Sequence, residues 1–245
     1  MDTIAKGNLV RLQNSGYPGR GIVLGLTPSG KELVVIYWIM GRSASSQNRI
    51  IRKNGHTVMT APFDASLEME GAHLKIYNAS VHMDKTHIVS NGRQTDTILD
   101  YLGKTGGFEE ALRCWAFEDD GPIFTPRISG IVFAGDPQGG YKLSIIKALE
   151  QNPALLSRQF FEYDEPLPGY GHCVHTYSLS QTCMPFDGEP YWTPILDGMD
   201  ENADCYWNAL PGDKRVALYV KHIDRITGGY KDKIINLHHA GEDEQ

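Results

Sequence analysis

Residues 21–40 read Gly21-Ile22-Val23-Leu24-Gly25-Leu26-Thr27-Pro28-Ser29-Gly30-Lys31-Glu32-Leu33-Val34-Val35-Ile36-Tyr37-Trp38-Ile39-Met40. Two runs rich in β-branched and aromatic residues flank Thr27-Pro28-Ser29-Gly30, which has the turn-forming residue types of a hairpin loop. The reading is an antiparallel pair, Gly21–Leu26 with Glu32–Met40, and the same pattern recurs outward from it. A second hairpin is predicted between 73–82 and 86–90, turning at Met83-Asp84-Lys85. A third joins 128–134 to 141–149 through Asp136-Pro137-Gln138-Gly139-Gly140. Residues 215–223 and 233–237 read as further strands. Helices are fewer. One is expected with Asp96 as its N-cap, ending before Gly103; one over 108–116, with Phe108, Leu112 and Trp115 on one face; and one over 202–210. Antiparallel pairing with interspersed helices predicts an α+β fold with stacked sheets.

A chain of 245 residues with 41% apolar and 22% charged residues has the composition of a globular protein and can bury a substantial core. No internal repeat or low-complexity linker divides it, so a single domain over 1–245 is expected, with a short acidic tail at about 240–245. No apolar run approaches the roughly 20 residues that span a bilayer. The start, Met1-Asp2-Thr3-Ile4-Ala5-Lys6, lacks a basic region followed by an apolar stretch, so a cytoplasmic location is expected. Cys114, Cys173, Cys183 and Cys205 are irregularly spaced, which predicts free thiols rather than zinc or redox pairs. A net charge of −7 without a basic stripe argues against a nucleic-acid binder. An anionic ligand would therefore need a local cluster of arginines acting against the overall field.

Three segments concentrate polar chemistry. Residues 41–49, Gly-Arg-Ser-Ala-Ser-Ser-Gln-Asn-Arg, place Arg42, Ser43, Asn48 and Arg49 at the end of the strongest strand. Guanidinium forks and loop hydroxyls of this kind match phosphate oxygens. Residues 90–97, Ser-Asn-Gly-Arg-Gln-Thr-Asp-Thr, put Asn91, Thr95 and Asp96 in a turn that opens a helix, where free N–H groups suit an anion. Residues 117–128 set Glu118, Asp119 and Asp120 beside Thr125 and Arg127, a juxtaposition that can tune a carboxylate for proton transfer. Taken singly, each segment reads equally as a polar surface loop, a capped turn or a structural ion pair. No metal is expected. The carboxylates lack regular ligand spacing, and His172 and His175 fall on opposite faces of a strand with no third ligand following. Gly169-Tyr170-Gly171 lacks the context of a dinucleotide loop, and His238-His239 lies near the chain end without a specific role.

The order of these segments is more specific than any one of them. Arg42-Ser43 through Asn48-Arg49, Tyr77-Asn78, Val89-Ser90-Asn91-Gly92, Thr95-Asp96-Thr97-Ile98 and Thr125-Pro126-Arg127-Ile128 resemble the archaeal-type IMP cyclohydrolases, in particular their longer bacterial relatives. Residues 186–190 and 206–210 share the likeness, which runs from about Gly21 to Ile223. The resemblance implies a four-layer αββα sandwich like that of the N-terminal nucleophile hydrolases. It also implies that the nucleophile of those hydrolases is dispensed with, and here Asp2 follows Met1.

The implied reaction closes the ring of 5-formamidoimidazole-4-carboxamide ribonucleotide to IMP and water, with no cofactor. By resemblance Arg49, Tyr77 and Glu118 are the catalytic candidates, with Asp119 and Asp120 as substitutes for Glu118. Arg42, Ser43, Asn48, Asn91, Thr95, Asp96, Thr125 and Arg127 are the nucleotide contacts. The loop between Arg42 and Arg49 is longer than in the archaeal enzymes, which leaves open which arginine meets phosphate. The alternative is a non-catalytic purine or imidazole nucleotide-binding module, or a paralogue acting on another nucleotide. Relatives of this fold often assemble, so a homo-oligomer is left open.

Overall fold

A computed structural model describes residues 1–135, 139–180 and 182–238. In chain order the elements are α1 (Asp2–Gln13), β1 (Gly21–Leu26), β2 (Glu32–Met40), α2 (Ala44–Gln47), β3 (Arg49–Asn54), β4 (Thr57–Pro62) and α3 (Ala72–Lys75). There follow β5 (Asn78–Met83), β6 (Thr86–Ser90), α4 (Gln94–Gly103), α5 (Phe108–Leu112), β7 (Arg127–Phe133), β8 (Tyr141–Ala148) and β9 (Leu156–Tyr163). The chain continues with β10 (Tyr170–His175), β11 (Tyr191–Pro194), α6 (Met199–Ala209), β12 (Arg215–Asp224) and β13 (Tyr230–Asn236). The strands form two antiparallel sheets, one ordered β11-β10-β1-β2-β12-β13 and the other β3-β4-β5-β6-β7-β8-β9. The α+β class with stacked antiparallel sheets is as the sequence led one to expect.

β2 shows why the sheets stack. Its alternate residues Leu33, Val35, Tyr37 and Ile39 enter the core between the two sheets, together with Val89 of β6 and Leu143 of β8. Val34, Ile36, Trp38 and Met40 point the other way, onto Leu12 of α1 and Ala203 and Tyr206 of α6. A strand buried on both faces must be apolar without alternation, which is what the run from Leu33 to Met40 records. Each fully buried aliphatic side chain there contributes about 1.5–3 kcal/mol. Across the second sheet, Ile88, Ile131 and Ile146 pack on Ile98 of α4 and on Phe108 and Leu112 of α5. Helices thus cover the outer face of each sheet.

Several boundaries differ from the sequence reading. The second hairpin begins at Asn78, because residues 72–75 form the short α3. α4 starts at Gln94 with Arg93 at its cap, so Asp96 lies in the first turn and accepts a hydrogen bond from Asn78 Nδ2 at 2.8 Å. α5 stops at Leu112, leaving Trp115 beyond the helix. α1 escaped notice because only Ala5 and Leu12 of its residues are buried, too sparse a stripe to show as a period. His172 stacks on Tyr163 between the sheets while Cys173 faces the helices, so His172 and His175 do lie on opposite faces. The turn at Asp136-Pro137-Gln138, His239 and the acidic tail lie outside the described residues.

Antiparallel order gathers the chemistry at one end. The start of β1, the ends of β2 and β10, the starts of β3, β5 and β7 and the end of β6 all arrive there.

Candidate active site

At that end opens a cavity of about 530 Å³, within the roughly 300–1,000 Å³ of small-molecule sites. Its lining includes Tyr17, Gly19, Arg20, Arg42, Ser43, Ser46, Arg49, Glu70, Lys75, Glu118, Asp120, Thr125 and Tyr177. Four cations and three carboxylates meet there in a chain whose net charge is −7, so the cation cluster expected from the sequence exists.

Glu118 and Arg20 occupy the buried floor. Arg20 Nη2 donates to Glu118 Oε2 at 2.9 Å, and Nη1 donates to the Asn91 carbonyl at 3.1 Å. Nη1 also lies 2.9 Å from Glu118 Oε1, and Arg127 Nη1 is 3.9 Å from that oxygen. Neither contact has hydrogen-bond geometry, so Oε1 is buried without a donor. Burial pushes the Glu118 carboxyl above the ordinary carboxylate range, while Arg20 and then Arg127 pull it back. Burial also works against the charge on Arg20, but Glu118, together with Tyr77 and Tyr37, outweighs it and the guanidinium stays charged.

Local structure positions Arg20. Gly19 has φ +73°, and a Cβ there would stand 2.1 Å from Thr176 Oγ1, so only glycine fits. Trp38 Nε1 donates to the Gly19 carbonyl at 2.9 Å, tying this turn to β2.

Arg49 opens β3 with its guanidinium already held. Nε donates to the Ser46 carbonyl at 2.7 Å and Nη2 to that of Met40 at 2.8 Å. Arg42 lies over Tyr17, 4.9 Å from the ring centre, and Tyr17 stacks on Tyr177 at 5.7 Å. Ser43 caps α2, its Oγ accepting from Ser46 N. Lys75 Nζ donates to Ser45 Oγ at 2.8 Å, and burial pushes its pKa down, with Arg49 adding to the effect. Thr125 Oγ1 donates to Asp120 Oδ2 and accepts from Tyr177 OH at 2.6 Å. Thr125 N donates to Asp120 Oδ1 and Glu118 N to the Thr125 carbonyl, which closes the acidic loop into a rigid unit.

Of the residues singled out in the sequence, Arg49, Glu118, Arg42, Ser43 and Thr125 line the cavity. Asp120, the weighed substitute, lines it too. Tyr77 does not. It is buried with its hydroxyl 2.6 Å from Tyr37 OH. Asn48 instead brackets the backbone of Asp64 through Nδ2 and Oδ1. Asn91 accepts from Ile128 N and donates to the Pro126 carbonyl, joining β6 to β7. Thr95 Oγ1 donates to the Gly92 carbonyl, and Asp96 holds Asn78. Arg127 donates to the Ala116 carbonyl at 2.9 Å and lies 4.7 Å over Trp115, behind Glu118. These residues build the walls rather than line the space.

Sequence reasoning missed Tyr17, Arg20, Lys75 and Tyr177. For Arg20 a signal was present: an arginine between two glycines, directly before the first strand. No local pattern marks Tyr177, which follows β10 and reaches the cavity only through the pairing of β10 with β1.

Fold and cavity together define an α+β protein with a pocket whose four cations suit a small anionic ligand. The sequence matches the family described as IMP cyclohydrolase-like protein over residues 17–228, and the chain belongs to that family. It is similar to the IMP cyclohydrolase of Methanocaldococcus jannaschii, 34% identical over 128 residues. That match covers 51% of this chain and 61% of the archaeal protein. No helix among the described residues is long and apolar enough to cross a membrane, and Cys114, Cys173, Cys183 and Cys205 are all free.

Proposed function

We propose that this protein is an IMP cyclohydrolase, closing 5-formamidoimidazole-4-carboxamide ribonucleotide to IMP and water. The observation that carries the reading is Glu118: a buried carboxylate ion-paired with Arg20, whose Oε1 accepts no hydrogen bond of good geometry, at a cavity lined by cations. The family of the chain and the name of the archaeal relative supply the substrate class.

In this reading the carboxamide nitrogen attacks the formyl carbon of the same molecule. Glu118 Oε1 accepts the proton that this nitrogen gives up. The formyl oxygen, gaining charge, is met by Arg49, whose fork is fixed by two backbone carbonyls and needs no reorganisation. Tyr77, buried behind the lining with its hydroxyl against that of Tyr37, is the proposed donor to the same oxygen and reaches it once the intervening wall moves. The carbinolamine then loses its hydroxyl and a nitrogen-bound proton as water. Nucleophile and electrophile are tethered, so the protein mainly selects the reactive rotamer. Arg42 and Lys75, with the Ser43 and Ser46 hydroxyls, supply donors for the phosphate, while Arg20 holds Glu118 in place. Asn48, Asn91, Thr95, Asp96 and Arg127 act on the nucleotide through the backbone segments they fix.

The helix-covered pair of sheets fits the four-layer αββα sandwich of N-terminal nucleophile hydrolases, and the layer order supports that reading. The proposed reaction needs no N-terminal nucleophile, because the substrate brings its own. A single domain carries the site, and a cytosolic setting accords with the free cysteines.

The test is ring closure of the formamido ribonucleotide by purified protein with EDTA present, followed by the absorbance change on forming IMP. Turnover well above the buffer rate is expected. Thermal stabilisation by IMP without turnover would instead identify a nucleotide-binding module.

A further inference from the structure

Two open sheets have four edges, and three of these are covered among the described residues. β3 and β13 close on each other: Asn236 Oδ1 accepts from Ile51 N at 2.8 Å, its Nδ2 donates to the Ile51 carbonyl at 3.0 Å, and Lys53 pairs with Asp232 at 2.7 Å. β11 lies beside α1, where Asn8 Nδ2 donates to the Trp192 carbonyl at 2.9 Å. β9 is different. It pairs with β8 along all eight of its residues, Leu156 to Tyr163, and among the described residues with no strand on its other side. An uncovered edge of that length is a template for another strand. Proline and lysine, common guards of such edges, are both missing from it.

The charges on β9 say which strand fits. Residues that oppose each other in an antiparallel pair share a face of the sheet, so two copies of β9 related by a two-fold axis must centre on one residue. Centred on Phe160, Arg158 opposes the partner subunit's Glu162, and the second ion pair follows by symmetry. Moving the axis by one residue leaves Glu162 opposite Leu156 or Phe160 instead. About Phe161, Arg158 would oppose Asp164, which lies beyond the strand end at Tyr163, so within β9 itself the complementarity belongs to one register. Both side chains are already held in place. Arg158 donates twice to the Trp115 carbonyl, at 3.1 and 2.8 Å, and Glu162 meets Lys142 at 2.8 Å. Little further side-chain freedom is lost when a partner arrives.

We propose that β9 is the seam of a homodimer, two copies pairing antiparallel about Phe160 and joining their seven-stranded sheets into one. The charges then act as a register key: they guard the edge against strands of other sequence and complement a second copy.

The test is a charge-reversal cycle read by sedimentation and light scattering on the full chain. Wild type is expected at twice the 27.3 kDa chain mass. Arg158→Glu alone and Glu162→Arg alone each place like charges in both symmetry-related pairs, and each is expected to weaken the dimer about tenfold or more. The double variant Arg158→Glu/Glu162→Arg restores opposite charges and is expected to recover the dimer. Circular dichroism and thermal unfolding confirm that each variant folds, and Glu162→Arg leaves the Arg158 bond to Trp115 untouched should Arg158→Glu unfold. A monomeric wild type overturns the proposal, as does an assembly that survives both single reversals. Failure of the double variant to recover the dimer, with its fold intact, also overturns it.

Discussion

Glu118 is shaped by two opposing influences, burial that favours its neutral form and Arg20 that favours its charge. Burial makes Glu118 a stronger proton acceptor than an ordinary carboxylate, while Arg20 favours its charged form. Glu118→Gln is therefore expected to lower turnover about a hundredfold or more. It also leaves Arg20 buried with its countercharge gone, so a loss of about 3 kcal/mol in stability should accompany it, read by urea unfolding. Tyr77→Phe tests the other side of the reaction. It strands the buried Tyr37 hydroxyl, at about 1–3 kcal/mol, and, if Tyr77 is the donor proposed above, a loss on the order of 100-fold in turnover is expected. Wild-type turnover in either variant would take that residue off the catalytic list.

At the scale of the element, the joint between β3 and β13 does what a ladder would do, using one side chain. Asn236 satisfies both the N–H and the C=O of Ile51, so two sheets share a sealed edge without merging. Asn236→Ala is expected to cost about 1–3 kcal/mol, because it leaves partly buried backbone groups without partners. Hydrogen exchange at the Ile51 amide should rise with it. Unchanged exchange would mean that another group holds the edge.

Element lengths also show what local pattern conveys. β1, β2 and β6 were legible because turn residues bound β-branched runs, and their ends agree with the structure. α3 was hidden inside the second predicted hairpin, because a four-residue helix is too short to show a period. α2 was read as part of a polar surface loop, although Ser43 and Ser46 form a reciprocal capping pair visible in their spacing.

For the whole molecule, acid is the informative variable. Burial lowers the pKa of His87 to about 3 and those of His172 and His175 to about 4. Each is depressed from an ordinary value near 6.5, so the unfolded chain binds the proton first as pH falls. Stability is then complete above pH 6.5 and lost progressively towards pH 4, by up to about 1.4 kcal/mol per pH unit for each histidine. Urea unfolding at pH 7 and pH 5 should show this fall, and His87→Asn should make it shallower. Equal stability at both values would mean that these histidines accept protons within the fold.

The class of fold, the main hairpins and the family are legible in the order of residues along the chain. These rest on residues near one another in the chain: turn residues between apolar runs, and short segments in a set order. The sequence also marked Arg49 and Glu118, each inside a dense polar segment. Folding is what brings Glu118 to Arg20, 98 positions earlier, stacks Tyr17 on Tyr177, and sets Asn91 and Arg127 to brace the walls instead of lining the space. Those pairings follow from strand order and register across two sheets. Local patterning does not encode that order, because each strand pairs through the same backbone groups, and only packing of the assembled faces selects its neighbours.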